Sequence, residues 1–141
     1  MGVEENKAAV EQARLAFSDP GRREQYLELY APEAVFHGFP PEVPPTFEGI
    51  KGFYRVLWDA FPDIVLVFDD VVAESDRVAI RYNARGSHRG EFMGAAPSGS
   101  EVVFNGMTIL RFDDTARCVE RWQQLDTAGL MAQLGLLPPA G

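Results

Sequence analysis

Cysteine is nearly absent from this chain: Cys118 stands alone among 141 residues, so no intrachain disulfide forms and no multi-cysteine zinc site exists. Positive charge is also scarce, with 13 Lys and Arg against 21 Asp and Glu for a net charge of -8. Such a surface repels a polyanion, which argues against nucleic acid as a partner. No apolar run approaches the roughly 18 residues that span a bilayer, so no membrane partner is expected. The opening MGVEENKAAV is polar and acidic where a secretory signal is basic and then apolar. Met1-Gly2 starts like a myristoylation signal, but Asn6 occupies the position that needs Ser or Thr. Together these features predict a cytoplasmic protein in a reducing compartment. Neither a GxSxG elbow nor a cysteine-centred motif is present. His37, His88 and the carboxylates offer no close-spaced pair of metal ligands. The expectation is therefore neither metal nor cofactor.

What remains is the composition of one ordinary domain, residues 1–141, with 46% apolar residues and no low-complexity tract. The first part is helical in period. Val10, Ala13 and Phe17 mark an amphipathic helix over Val3–Ser18, ended by Asp19-Pro20-Gly21. A second, Arg22–Tyr30, puts Tyr26, Leu27 and Tyr30 on one side, where both tyrosines read as core. It stops before Pro32, because the residue preceding proline resists helical geometry. Glu33–Phe39 alternates as a short strand, and Pro40, Pro41, Pro44 and Pro45 then forbid regular structure, leaving a long connection or a lid. Phe53, Leu57 and Phe61 recur at spacing four in a third helix, Ile50–Phe61.

From Ile64 onward the period changes to two. Ile64–Glu74, Arg77–His88, Glu101–Phe112 and Arg117–Asp126 are extended and mostly joined by short turns, which predicts an antiparallel meander. Val78, Ile80, Tyr82, Ala84, Gly86 and His88 share one face of the second of these strands. Gly86, Gly90, Gly94 and Gly99 suggest bulges that curve the sheet. Thr127–Leu134 closes the chain as a short helix capped by Asp126 or Thr127 and ended at Gly135. The resulting fold is α+β: a curved mixed sheet with helices on its concave face, forming a cone around an apolar pocket.

Strand alternation through Cys118–Asp126 puts Glu120, Trp122 and Asp126 on one face with Cys118 and Gln124. A carboxylate beside an indole in a closed interior is poorly solvated and suited to moving protons near neutral pH. Asp126 is then either a proton-transfer group or the cap of the last helix. Glu120 is either a second pocket acid or the partner of a strand arginine. Arg81, Arg85, Arg111 and Arg121 fall on the opposite, outer face.

Four stretches carry a family resemblance: AVFHG (Ala34–Gly38), AFPD (Ala60–Asp63), SHRGEFMGAAPSG (Ser87–Gly99) and VERWQQLDTAGLMAQLG (Val119–Gly135). In this order, over nearly the whole chain, they resemble the SnoaL-like polyketide cyclases and ester cyclases, which have the nuclear-transport-factor-like cone fold. The resemblance implies ring closure of a small, apolar or aromatic polyketide-like substrate by intramolecular aldol condensation. It implies no metal and no covalent intermediate, gives Asp126 as the general acid/base, and suggests a homodimer built on the outer face. In an ungapped reading, Leu110 and Phe112 occupy the preceding strand where the resemblance implies polar partners for that acid.

The functional reading is a cofactor-independent enzyme with Asp126 and His88 as catalytic residues. His88 would orient or polarise the substrate, with a backbone-bound loop histidine as the alternative. Trp122, Tyr82, Phe61, Phe92, Met107 and His37 are the expected substrate-binding surface. An isomerase or epoxide hydrolase on the same fold is a second reading, the latter requiring an internal arginine between two aspartates. A third is a non-catalytic binding or assembly module.

Overall fold

The computed structural model describes residues 2–137. Helix α1, Val3–Phe17, carries Glu4 and Glu5 in its first turn, where the helix dipole favours negative charge, and buries Val10, Ala13, Ala16 and Phe17. A single turn of helix, α2 (Arg23–Tyr26), runs into a 3-10 turn at Leu27–Leu29. Strand β1, Tyr30–His37, therefore starts three residues before the expected Glu33. Pro32 does not break it, because β1 is an edge strand and a missing ladder donor costs little there.

Helix α3, Phe47–Ala60, begins three residues earlier than its apolar period suggests. Thr46 is the reason: its hydroxyl accepts the Gly49 N–H at 3.2 Å and so fixes the N-terminus. Four strands follow, β2 (Val65–Glu74), β3 (Arg77–Ser87), β4 (Glu101–Phe112) and β5 (Cys118–Leu125), and then helix α4 (Thr127–Gln133). The sheet order is β1-β5-β4-β3-β2. The meander β2 to β5 is antiparallel, whereas β1 joins β5 in parallel, making the sheet mixed. The α+β architecture is the expected one. No helix among the described residues is long and apolar enough to cross a membrane.

The irregularities that shape the sheet are not at the glycines. The β3–β4 ladder runs in unbroken register from Arg77↔Arg111 to Ser87↔Glu101, so Gly86 is a regular strand residue. Its missing Cβ instead makes room for Phe61 and Ile64, whose atoms would lie 3.1–3.2 Å from such a carbon. The bulges fall elsewhere. Phe68 faces Tyr82 while Asp70 faces Arg81, leaving Asp69 extra in β2. Phe112 faces Cys118 while Arg111 faces Glu120, leaving Val119 extra in β5.

Candidate active site

The bulge at Val119 changes the side of the sheet from which the rest of β5 speaks. Cys118 is buried, but one added residue resets the alternation, and Arg121 and Gln123 are the buried residues that follow. Glu120 and Trp122 consequently lie on the outer face. Arg121, expected outside, projects inward instead, and is 6% exposed.

It enters a cavity of about 450 Å³ between the concave sheet, helices α1, α3 and α4, and the loop Gly38–Glu42. Phe17, Leu57, Ile80, Phe104 and Leu110 supply apolar wall. Arg121 is held in place by oxygen atoms from five elements, α2, β1, α3, β4 and β5 itself. Its Nη1 donates to the hydroxyls of Tyr30 at 2.7 Å, Tyr54 at 2.8 Å and Tyr26 at 3.1 Å. Nε donates to Thr108 Oγ1 at 2.9 Å, and Nη2 to Gln123 Oε1 at 3.3 Å. Thr108 in turn donates to the Trp122 carbonyl at 2.7 Å, so its hydroxyl is fixed as an acceptor toward the guanidinium. The Phe39 ring covers the guanidinium at 5.3 Å.

Among the described residues no carboxylate pairs with Arg121. Burial opposes its charge, but the surrounding Tyr30, Tyr54 and Tyr26 oxygens outweigh that and hold its pKa well above the ordinary arginine value. The phenols are affected in the opposite sense. Burial pushes Tyr26 and Tyr30 far up, and Tyr82 up to about 12, against the opposing pull of Arg121. At neutral pH the site is thus a guanidinium cation within neutral hydroxyls. Tyr26 and Tyr30 lie 2.6 Å apart and share one proton between them. The second proton of that pair, and that of Tyr54, meet no acceptor among the described residues. The cluster has donors to spare for an oxyanion entering from the cavity.

Of the expected binding residues, Tyr82 and Phe92 line this cavity. Phe61 is fully buried one layer behind, edge-on to Phe92 and Phe104 at 5.4 and 5.1 Å. His88 lies behind it again, stacked on Phe61 at 5.3 Å and 1% exposed, with Nε2 unpartnered among the described residues. Its backbone pairs with Ser100 and Gly99, so it is a loop-anchoring histidine outside the cavity. Met107 is 60% exposed on the outer face. Trp122 is there too, between His37 at 5.5 Å and Arg77 at 5.2 Å. His37 Nε2 contacts Glu120 Oε2 at 2.8 Å, and Arg111 holds the other oxygen at 3.0 Å. The Glu120, Trp122 and His37 group is a surface cluster, placed there by the bulge.

Asp126 is exposed and does not line the cavity. Its Oδ1 accepts the Gly129 N–H at 2.9 Å, capping α4, and its own N–H bonds the Asn105 carbonyl at 2.8 Å. The β4–β5 register therefore puts Asn105 beside Asp126 and Leu110 opposite Arg121, correcting the ungapped alignment. His88 and Asp126 are not brought together. The carboxylate that does line the cavity is Glu42, at its mouth. The described residues contain no group of three or more His, Cys, Asp or Glu able to hold a metal. Cys118 is buried, and burial raises its thiol to about 12, leaving it a packed side chain rather than a nucleophile.

The SnoaL-like polyketide cyclase family matches residues 8–134. The chain belongs to that family. AclR from Streptomyces galilaeus, described as a candidate hydroxylase, is 29% identical with a TM-score of 0.85, over 99% of this chain and 91% of its own. IdmH from Streptomyces antibioticus, described as a candidate polyketide cyclase, is 34% identical with a TM-score of 0.75, over 92% and 98%. TsrD from Streptomyces laurentii is 25% identical at 0.81, over 97% and 99%. Curated proteins give no match. This SnoaL-like chain is thus of a cyclase-type enzyme family that handles small molecules. It does contain the internal arginine that epoxide opening requires, but the groups flanking that arginine are phenols, so the two-aspartate cluster is not assembled.

Proposed function

We propose that the protein closes a ring in a small, largely apolar, ketide-like substrate, with Arg121 and its phenols stabilising the oxygen that gains charge. The observation that carries this reading is the unpaired guanidinium in an apolar cavity. A buried cation without an anionic partner is costly, and a ligand oxyanion supplies that partner at the step where charge develops. Aldol closure fits: loss of a proton puts charge on the enolate oxygen facing Arg121, and the enolate carbon then attacks a second carbonyl of the same molecule. The apolar walls hold the chain folded for attack. In this reading Asp126 acts only through α4, whose Leu130 and Met131 wall the cavity.

The test compares 2-naphthoate with naphthalene-2-carboxamide, following quenching of the intrinsic fluorescence. The carboxylate is expected to bind roughly tenfold more tightly than the neutral amide, in line with a charge-assisted hydrogen bond. Arg121→Met is expected to erase the preference while the amide still binds. Equal affinities in the unaltered chain would sink the reading.

The outer face supports a second statement, that two copies associate through their sheets. Val67, Val72, Met107 and Ile109 are exposed there among charges of both signs, including Arg81 beside Asp70 and Arg85 beside Glu101. A face that mixes apolar side chains with both charges is complementary to its own two-fold copy. Sedimentation at low concentration should give a dimer, and Ile109→Asp a monomer; a monomeric unaltered chain refutes it.

A further inference from the structure

Ring closure by enolate attack needs a base, and the cluster around Arg121 contains none: its phenols are too weakly acidic to ionise near neutrality. We propose that Glu42 is the general base and acid, an assignment that rests on the cyclase reading above. Among the residues that line the cavity, Glu42 is the one with a carboxylate. It takes part in no hydrogen bond or ion pair among the described residues, whereas Glu11, Glu24, Glu48 and Glu120 each hold a cation. Arg14, the second cation on the cavity wall beside Arg121, is engaged by Glu11. Glu42 is free for a substrate.

Its placement follows from the sequence around it. Pro40 and Pro41 restrict the backbone, and the Val43 N–H bonds the Pro40 carbonyl at 2.9 Å, closing a turn with Glu42 at its third position. Phe39 and Val43 on either side pack into the core, so the turn is tethered at both ends and Glu42 rides over the opening. Phe39 is also the ring that covers Arg121. Three residues of chain keep the Cα atoms of Phe39 and Glu42 within about 10 Å of one another, so the base and the ring that shields the cation are carried by one short segment. In this arrangement a flat bicyclic or tricyclic substrate lies with its carbonyl toward Arg121 and an activated methylene toward the mouth.

The chemistry balances on these two groups. The Glu42 carboxylate takes a proton from a methylene flanked by carbonyls, and the C–H electron pair becomes the enolate held at Arg121. The enolate carbon bonds to a second carbonyl carbon, whose π electrons pass to its oxygen. That oxygen takes back the proton from Glu42, and the carboxylate is restored.

The experiment uses 2-tetralone, a bicyclic ketone with a carbonyl-activated methylene, in deuterated buffer. Deuterium uptake is read by NMR above the uncatalysed background, and binding by fluorescence quenching. The unaltered chain should bind and exchange the probe. Glu42→Gln should bind within about twofold and lose on the order of 100-fold in exchange, while Asp126→Asn should match the unaltered chain in both. Full exchange by Glu42→Gln, or loss confined to Asp126→Asn with the fold intact, overturns the role of Glu42 and leaves the cyclase reading standing. An unaltered chain that binds tetralone without exchanging it, or does not bind it, overturns the cyclase reading itself.

Discussion

Tyr30 Oη lies 2.7 Å from Arg121 Nη1 and 2.6 Å from Tyr26 Oη, so a single phenol both accepts from the buried cation and joins its neighbour. Tyr30→Phe removes that junction without opening a large void. Because the charge and the Tyr26 hydroxyl stay buried, the loss exceeds that of an average hydrogen bond, about 1–3 kcal/mol. Urea unfolding with an unchanged slope is the measurement; no loss would mean that Tyr26 and Tyr54 suffice to hold the guanidinium.

The same hydroxyls set a response to alkali. Tyr82 titrates at about 12 in the fold against an ordinary 10.0, and Tyr26 and Tyr30 are shifted in the same direction, burial being the main cause. A raised folded pKa means that the fold holds the proton more tightly than the unfolded chain. The associated stability is therefore complete below pH 10 and is lost as the pH climbs toward and through 12. At least three of the four tyrosines should resist ionisation until the chain unfolds. Tyrosinate absorbance rising before loss of circular dichroism would contradict this.

Asp126 separates two roles by substitution. As a cap, Asp126→Ala should lower stability by about 1 kcal/mol, with Asp126→Asn nearly silent because the amide oxygen still accepts the Gly129 N–H. Thermal melts of the two variants decide it. A large loss of activity in Asp126→Asn at unchanged melting temperature would restore the proton-transfer role implied by the family resemblance.

Gly38 joins β1 to the mouth loop at φ +86°, and a Cβ there would collide with the Gln123 carbonyl. Gly38→Ala is therefore strained both in its backbone and against β5, and should cost more than about 1 kcal/mol. Because Phe39 and the turn of Glu42 follow directly, the variant should also weaken 2-naphthoate binding. Unchanged affinity and stability would show that the loop accommodates the carbon by moving outward.

The elements were readable because each had its own period and stops. Apolar residues at helical spacing in α1 and α3, proline and glycine at the breaks, and four alternating runs after Ile64 were enough for an α+β cone. The cavity was readable only in part. Tyr82 and Phe92 lie on stretches whose alternation or packing is undisturbed, and both reach the cavity. Trp122, Arg121 and Glu120 were put on the wrong faces together because parity was carried through Val119 as though β5 were regular, whereas Met107 lies on β4, whose own unbroken alternation puts it outside with Ile109. Nothing in the single sequence CVERWQ marks which residue is extra. Tyr26 and Tyr30 read as core, and they are core; their hydroxyl function depends on Arg121, some ninety residues away in the chain.

Val119 itself touches none of the chemistry, yet its standing outside the β4–β5 ladder decides the contents of the cavity. Were it paired as a regular ladder residue between Cys118 and Glu120, Arg121 and Gln123 would turn to solvent, and Glu120 and Trp122 would turn inward. A carboxylate and an indole would then replace a cation and an amide. One residue held out of the ladder is thus what separates an anion-stabilising interior from an acidic one on the same scaffold. The pairing of this strand, as much as the identity of its side chains, sets the chemistry of the cavity.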